Sequence, residues 1–179
     1  MIGNDIIDLE IALKLPKSDN IRFMNKVFSE EEKLHIFRST DPEIQLWKIW
    51  SMKETAYKAH QRNYNFKPVL NPIKFRCFPN TGKVEIGTSI YSTQTEVTSE
   101  FIHTRIKSSA YQISNTGAVE KDLIKFMSTA FNAQIKDLLY YKDSHNLPEC
   151  INLKTRIRVP VSLSHHGKFA AYVFPLINC

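Results

Sequence analysis

The hydrophobic pattern along the chain passes from strand to helix and back twice. Met1 to Leu9 alternates as a short strand, which puts Asp5, Ile7 and Leu9 on one face and Ile6 and Asp8 on the other. On that strand Asp5 and Asp8 do not serve one site unless it bends. Ser29 and Glu32 form the S-x-x-E signature of a capped helix start. Asp41 followed by Pro42 is a second start, for a helix reaching about His60. Its apolar positions Leu46, Trp47, Trp50, Ala56 and Tyr57 suit a half-buried surface. From Phe66 to Ile113, prolines and Gly82 punctuate runs rich in Val, Ile, Thr, Phe and Tyr. Asn80-Thr81-Gly82 turns a hairpin between Ile73–Phe78 and Lys83–Ile86, and Phe101–Ile106 and Ala110–Ile113 are further strands. Helical spacing returns from Val119 to Phe131, Asn146 to Glu149 is a turn, and Pro160 to Phe174 alternates as strand. The predicted class is α+β, with two lobes divided near Asn115 to Gly117.

Composition narrows the setting. The chain has 179 residues with 42% apolar content, enough for one sizeable core or two small lobes sharing an interface. A net charge of +6 points to an anionic partner. Cys77, Cys150 and Cys179 are odd in number and widely spaced, which argues against a disulfide framework or a structural zinc site. No signal-peptide layout and no apolar run of membrane-spanning length is present, so a cytoplasmic, soluble protein is expected.

Three segments carry candidate chemistry: I-G-N-D-I-I-D-L at 2–9, W-S-M-K-E-T-A-Y-K-A at 50–59, and V-S-L-S-H-H-G-K-F-A-A-Y-V-F at 161–174. Each also has a plain reading. Asp5 can end a strand. Glu54 and Lys58, four apart, can be a surface pair contributing about 0.3–0.5 kcal/mol. S-L-S-H can be a polar edge strand.

Together, the G-x-D segment, the W-x-x-K-E-x-x-x-K helix and the S-x-S-H strand resemble the signature set of phosphopantetheinyl transferases. The stretch R-F-M-N-K-V-F-S-E-E-E, residues 22–32, is similar to one in the small holo-acyl-carrier-protein synthases of that superfamily. The resemblance implies a fold of two similar small lobes, each an antiparallel sheet packed on a helix. It implies transfer of the 4'-phosphopantetheine group of coenzyme A to a serine of an acidic apo carrier protein. Adenosine 3',5'-bisphosphate leaves. Asp5 and Glu54 match the family's acids for Mg2+, a cation that takes oxygen ligands and often only one or two carboxylates. Gly3 would allow close approach beside Asp5. Lys53 and Lys58 match phosphate-contacting lysines, with Glu54 and Lys58 as the catalytic pair. Ser164 and His165 match the residues holding the adenosine-side phosphate, with Ser162 as an addition. Arg22 and Lys26 fall in the segment resembling the carrier-contacting helix; their plain reading is a solvated helix face. Tyr140 and Tyr141 read as core or interface.

Two departures stand out. Surfactin-type enzymes carry a second acid two positions after the metal aspartate; here that position is Ile7, and the small synthases also lack it. The larger enzymes have a G-K-P turn whose lysine reaches a phosphate; the comparable His145-Asn146-Leu147-Pro148 has no lysine, which leaves Lys154, Arg156 or Arg158 to replace it. The motif order is that of the small synthases, but the chain is longer. A circularly permuted two-lobe enzyme is expected, with residues 1–115 carrying metal and lysines, 116–179 carrying S-x-S-H, and coenzyme A between. The competing arrangement is an oligomer with sites shared between subunits. Two further readings are a basic nucleic-acid-binding module and a relative that binds coenzyme A or carrier without catalysis. Dispersed basic residues, with no nucleic-acid motif, disfavour the first, and retention of Asp5, Glu54 and Lys58 disfavours the second. A different transferase or hydrolase of a coenzyme A derivative is the remaining reading. Neither a nucleic acid nor a membrane is an expected partner.

Overall fold

A computed structural model describes residues 1–107, 109–114 and 119–175. The chain opens with β1 (Asn4–Asp8) and a short α1 (Leu9–Ala12), followed by α2 (Ile21–Val27), α3 (Glu30–Phe37) and α4 (Pro42–Tyr64). The α3 start is the capping box read from sequence: Ser29 accepts from the Glu32 N–H, and Glu32 accepts from the Ser29 N–H. Asp41 caps α4 by accepting from the Ile44 N–H. The helix runs four residues past His60 and stops where Asn65 adopts a left-handed backbone.

Strands β2 (Phe75–Phe78), β3 (Lys83–Ile86), β4 (Ser89–Val97) and β5 (Phe101–Ile106) join β1 in an antiparallel sheet of order β1-β5-β4-β3-β2. α4 packs across this sheet. Leu46, Ile49, Met52 and Ala56 are sealed against Phe75, Val84, Ile86 and Tyr91, and Val27, Phe28 and Ile36 close the far side. Gly3 lies against the helix: a Cβ there would collide with the Thr55 carbonyl oxygen. The missing side chain therefore lets strand and helix approach, a packing role for this glycine.

β6 (Ser109–Ser114) pairs with the last strand, not with β5. The change of sheet falls between Ile106 and Ser109, and Asn115 to Gly117, where the sequence suggests a boundary, lies outside the described residues. β10 (Ser162–His166), β11 (Phe169–Pro175) and β6 make one three-stranded sheet. β7 (Leu138–Lys142), β8 (Pro148–Asn152) and β9 (Arg158–Pro160) make another. α5 (Val119–Ala130) buries Leu123 and Met127 against both sheets, meeting Leu138, Cys150, Val161, Tyr172 and Phe174. The class is α+β with antiparallel sheets, as the sequence pattern predicts. Among the described residues no helix is long and apolar enough to cross a membrane.

Candidate active site

β1 is an edge strand, with β5 on one side and β10 alongside the other. The period of two turns Asp5 toward α4 and Asp8 away. Asp8 accepts from the Glu10 and Lys168 N–H groups, so it caps α1 and fixes the β10–β11 turn, as expected of a residue outside the site of Asp5. At that turn Gly167 has a φ of +55°, and a Cβ there would collide with the Asp8 carboxylate.

Glu54 and Lys58 lie one turn apart on α4 and share the face that meets Asp5. Lys58 Nζ is 3.6 Å from Asp5 Oδ1 and donates to the Asn4 carbonyl at 2.9 Å. Burial pushes the Glu54 carboxyl up to about 7, with the Asp5 charge adding to the rise and Lys58 opposing it. Asp5 Oδ2 is buried and meets no hydrogen-bond donor among the described residues. An acceptor oxygen without a donor, beside a second acid that Asp5 itself disfavours ionising, is an arrangement a hard cation resolves. Among the described residues no third acid, histidine or cysteine joins these two carboxylates, which suits Mg2+. The residues present therefore fit that ion, and Asp5 and Glu54 would hold it.

Lys53 does not reach this site. It follows a helical rotation of about 100° from Glu54, and its fully buried ammonium meets Glu32 Oε2 at 2.6 Å and the carbonyls of Val27 and Pro72 at 2.8 and 3.0 Å. Glu32 also accepts from the Cys77 N–H. Burial lowers the Lys53 pKa and Glu32 opposes the fall. All three ammonium protons are engaged, so a buried structural ion pair stands where a phosphate contact was expected.

A cleft of about 300 Å³ opens beside Lys58, between α4 and the second half of the chain. Tyr57 and Arg62 from α4, Tyr140 and Lys142 from β7, Leu147 and Pro148 from the turn, and Leu163 and His165 from β10 line it. Arg62 donates at 2.9 Å to the carbonyls of both Pro148 and Val161, tying α4 to that turn and to the start of β10. His165 and Lys142 are exposed in the cleft. Lys142 sits opposite Pro148 in the β7–β8 pairing. It brings a cation to the cleft beside that turn. Among the three residues named from sequence for that place, Lys154 pairs with Asp137 and Arg158 lies over the Tyr141 ring; none of the three lines the cleft.

Ser164 is brought to the site but turned away from the cleft: its hydroxyl donates to Asp5 Oδ1 at 2.9 Å. His103 was not signalled by any motif. It is buried on the β5 face behind β1, its Nε2 lacks a partner among the described residues, and burial, then Arg105 and Lys58, push it down to about 4. Arg22 and Lys26 are exposed one turn apart on α2, which Phe23 anchors on Trp47 and Trp50.

A sequence model of the 4'-phosphopantetheinyl transferase superfamily matches residues 1–115, more than half of the chain. No curated protein and no solved structure matches it.

Proposed function

The chain belongs to the 4'-phosphopantetheinyl transferase superfamily, and from that premise we propose that it moves phosphopantetheine from coenzyme A to a serine of an apo carrier protein. The observation that carries this reading is the Asp5–Glu54–Lys58 cluster, whose Lys58 lines a cleft shared with Lys142 and His165. Mg2+, when bound, neutralises pyrophosphate charge and helps align it for in-line displacement.

The chain's own residues account for the rest. Lys58, held by the Asn4 carbonyl and Asp5, presents a compact charge to the transferring phosphoryl group. Glu54, or a water next to it, takes the proton of the attacking serine. The serine oxygen bonds to the β-phosphorus, the bond from that phosphorus to the bridging oxygen breaks, and adenosine 3',5'-bisphosphate leaves. Lys142 and His165 hold the remaining phosphates, and Tyr57, Tyr140 and Leu147 give the cleft its apolar wall. The carrier docks over α2, where Arg22 and Lys26 face acidic side chains.

The test is incubation with coenzyme A, Mg2+ and a panel of apo carrier proteins, read by intact mass. A gain of the phosphopantetheine mass, lost in Asp5→Ala and Glu54→Ala, supports the reading. No gain on any carrier of a broad panel overturns it.

A further inference from the structure

The amides of Asn4, Ile6 and Asp8 lie on the open edge of β1, where buried N–H groups need acceptors. β10 supplies them with side chains. The Asn4 N–H donates to Ser162 Oγ at 3.1 Å, the Ile6 N–H to Ser164 Oγ at 3.2 Å, and the Asp8 N–H to His166 Nδ1 at 2.9 Å. All three pairs are 158 residues apart, so the two strands run in the same direction and every second residue of β10 is a tooth on β1. His165, one step out of phase, points into the cleft.

We infer that Ser164 is a positioning residue that holds the Asp5 carboxylate for its cation and makes no bond to a phosphate of coenzyme A. The reason is proton counting. A serine hydroxyl has one proton and two lone pairs. In Ser164 the proton goes to Asp5 Oδ1 at 2.9 Å and a lone pair accepts the Ile6 N–H. What remains is an acceptor, and a phosphate oxygen requires a donor. Ser162 is spent in the same way, donating to Asn4 Oδ1 at 2.7 Å and accepting the Asn4 N–H. The S-x-S-x-H strand thus divides its labour: Ser162, Ser164 and His166 close the β1 edge, and His165 is the exposed side chain of the motif that lines the cleft. With Oδ1 fixed by Ser164 and neighboured by Lys58, Oδ2 is left directed and free of donors among the described residues. Residues of this kind behind a metal-binding carboxylate typically govern affinity by about ten- to a hundredfold.

This inference rests on the transferase reading for its consequence in turnover, but its first measurement does not. Mn2+ binding to the free protein, followed by electron paramagnetic resonance without coenzyme A or carrier, should weaken about tenfold in Ser164→Ala. Ser164→Cys, near in volume but a poor donor, should show the same loss, and Ser164→Thr should restore binding. His166→Ala removes a tooth that touches neither Asp5 nor Glu54, and should leave Mn2+ affinity within about twofold, below the range expected of a residue behind the ligand. In steady-state assays Ser164→Ala should raise the Mg2+ requirement by the factor seen in binding. The KM for coenzyme A at saturating Mg2+ should stay unchanged. Unaltered Mn2+ affinity with a raised KM for coenzyme A overturns the inference, since Ser164 then contacts the substrate. Equal Mn2+ losses in Ser164→Ala and His166→Ala overturn it too, since the effect is then strand docking. Should the Mn2+ pattern hold while no carrier is ever modified, Ser164 keeps its role and the transferase reading fails.

Discussion

The ammonium of Lys53 and the carboxylate of Glu32 meet at 2.6 Å with both side chains closed to solvent. Removing one partner leaves an uncompensated buried charge, which costs about 3–5 kcal/mol. Lys53→Ala should therefore lower the melting temperature steeply, and in whatever fraction stays folded the KM for coenzyme A should hardly move. Lys142→Ala should do the reverse: an exposed cation is lost, so stability stays the same while the KM for coenzyme A rises several-fold. Thermal melts paired with steady-state kinetics on both variants check this. A wild-type melting temperature in Lys53→Ala with a raised KM would return Lys53 to the phosphates.

Glu54 ties stability to pH. The unfolded carboxyl ionises near 4.5 and the folded one near 7, so between those values the folded chain holds the extra proton. Its contribution to stability is full below the lower value and is lost as pH rises through the higher one. His103 acts in the opposite sense: held neutral down to about 4, it adds stability that is lost as pH falls. The difference between wild type and Glu54→Gln isolates the carboxyl. Without divalent cation, wild type should lose stability relative to Glu54→Gln on going from about pH 5 to about pH 8. Adding Mg2+ should reverse that loss at the higher pH and have little effect at the lower. Melting curves at both values, with and without Mg2+, measure it; parallel profiles for the two proteins would remove Glu54 from the cation site.

Arg22 and Lys26 stand one turn apart on a solvent face of α2 whose buried side is fixed by Phe23, Met24 and Val27. Reversing both to Glu should raise the KM for an acidic carrier at least tenfold and leave the KM for coenzyme A within about twofold, with the effect shrinking as salt rises. An equal rise for both substrates would place these residues at the nucleotide end or in folding.

One chain brings Asp5, Glu54, Lys58, Ser164 and His165 to the same region. Mixing Asp5→Ala with His165→Ala should therefore yield no activity beyond the sum of the two. Recovery on mixing would mean that sites are completed by a second chain.

The local signals were readable because their causes are local. The capping box at Ser29 and the Asp41-Pro42 start depend on neighbours three residues away, and the hairpin turn at Asn80–Gly82 on its own backbone. The type and spacing of Glu54 and Lys58 also placed them on one helix face. What failed to show depends on partners far along the chain. Ala110 to Ile113 alternates identically whichever sheet it joins, so its pairing with β11 was hidden. The same helix period that joins Glu54 to Lys58 turns Lys53 away, a signal present in the sequence, yet the waiting Glu32 lies on the preceding helix, 21 residues earlier. The period of two separates Ser162 and Ser164 from His165, but only the position of β1 tells which face meets a ligand. Lys142 carries no motif and is found only through its place opposite Pro148.

The teeth between β1 and β10 also set a schedule for synthesis. Ser164 is made 159 positions after Asp5. Until β10 emerges, the growing polypeptide holds an unsealed strand edge and a carboxylate without the hydroxyl that fixes its Oδ1. Contacts of such sequence separation close late and slowly. A nascent chain stopped anywhere before Ser162 thus carries both carboxylates and the lysine of the cluster without the strand that arranges them, so the competence of this site is withheld until β10 has been made.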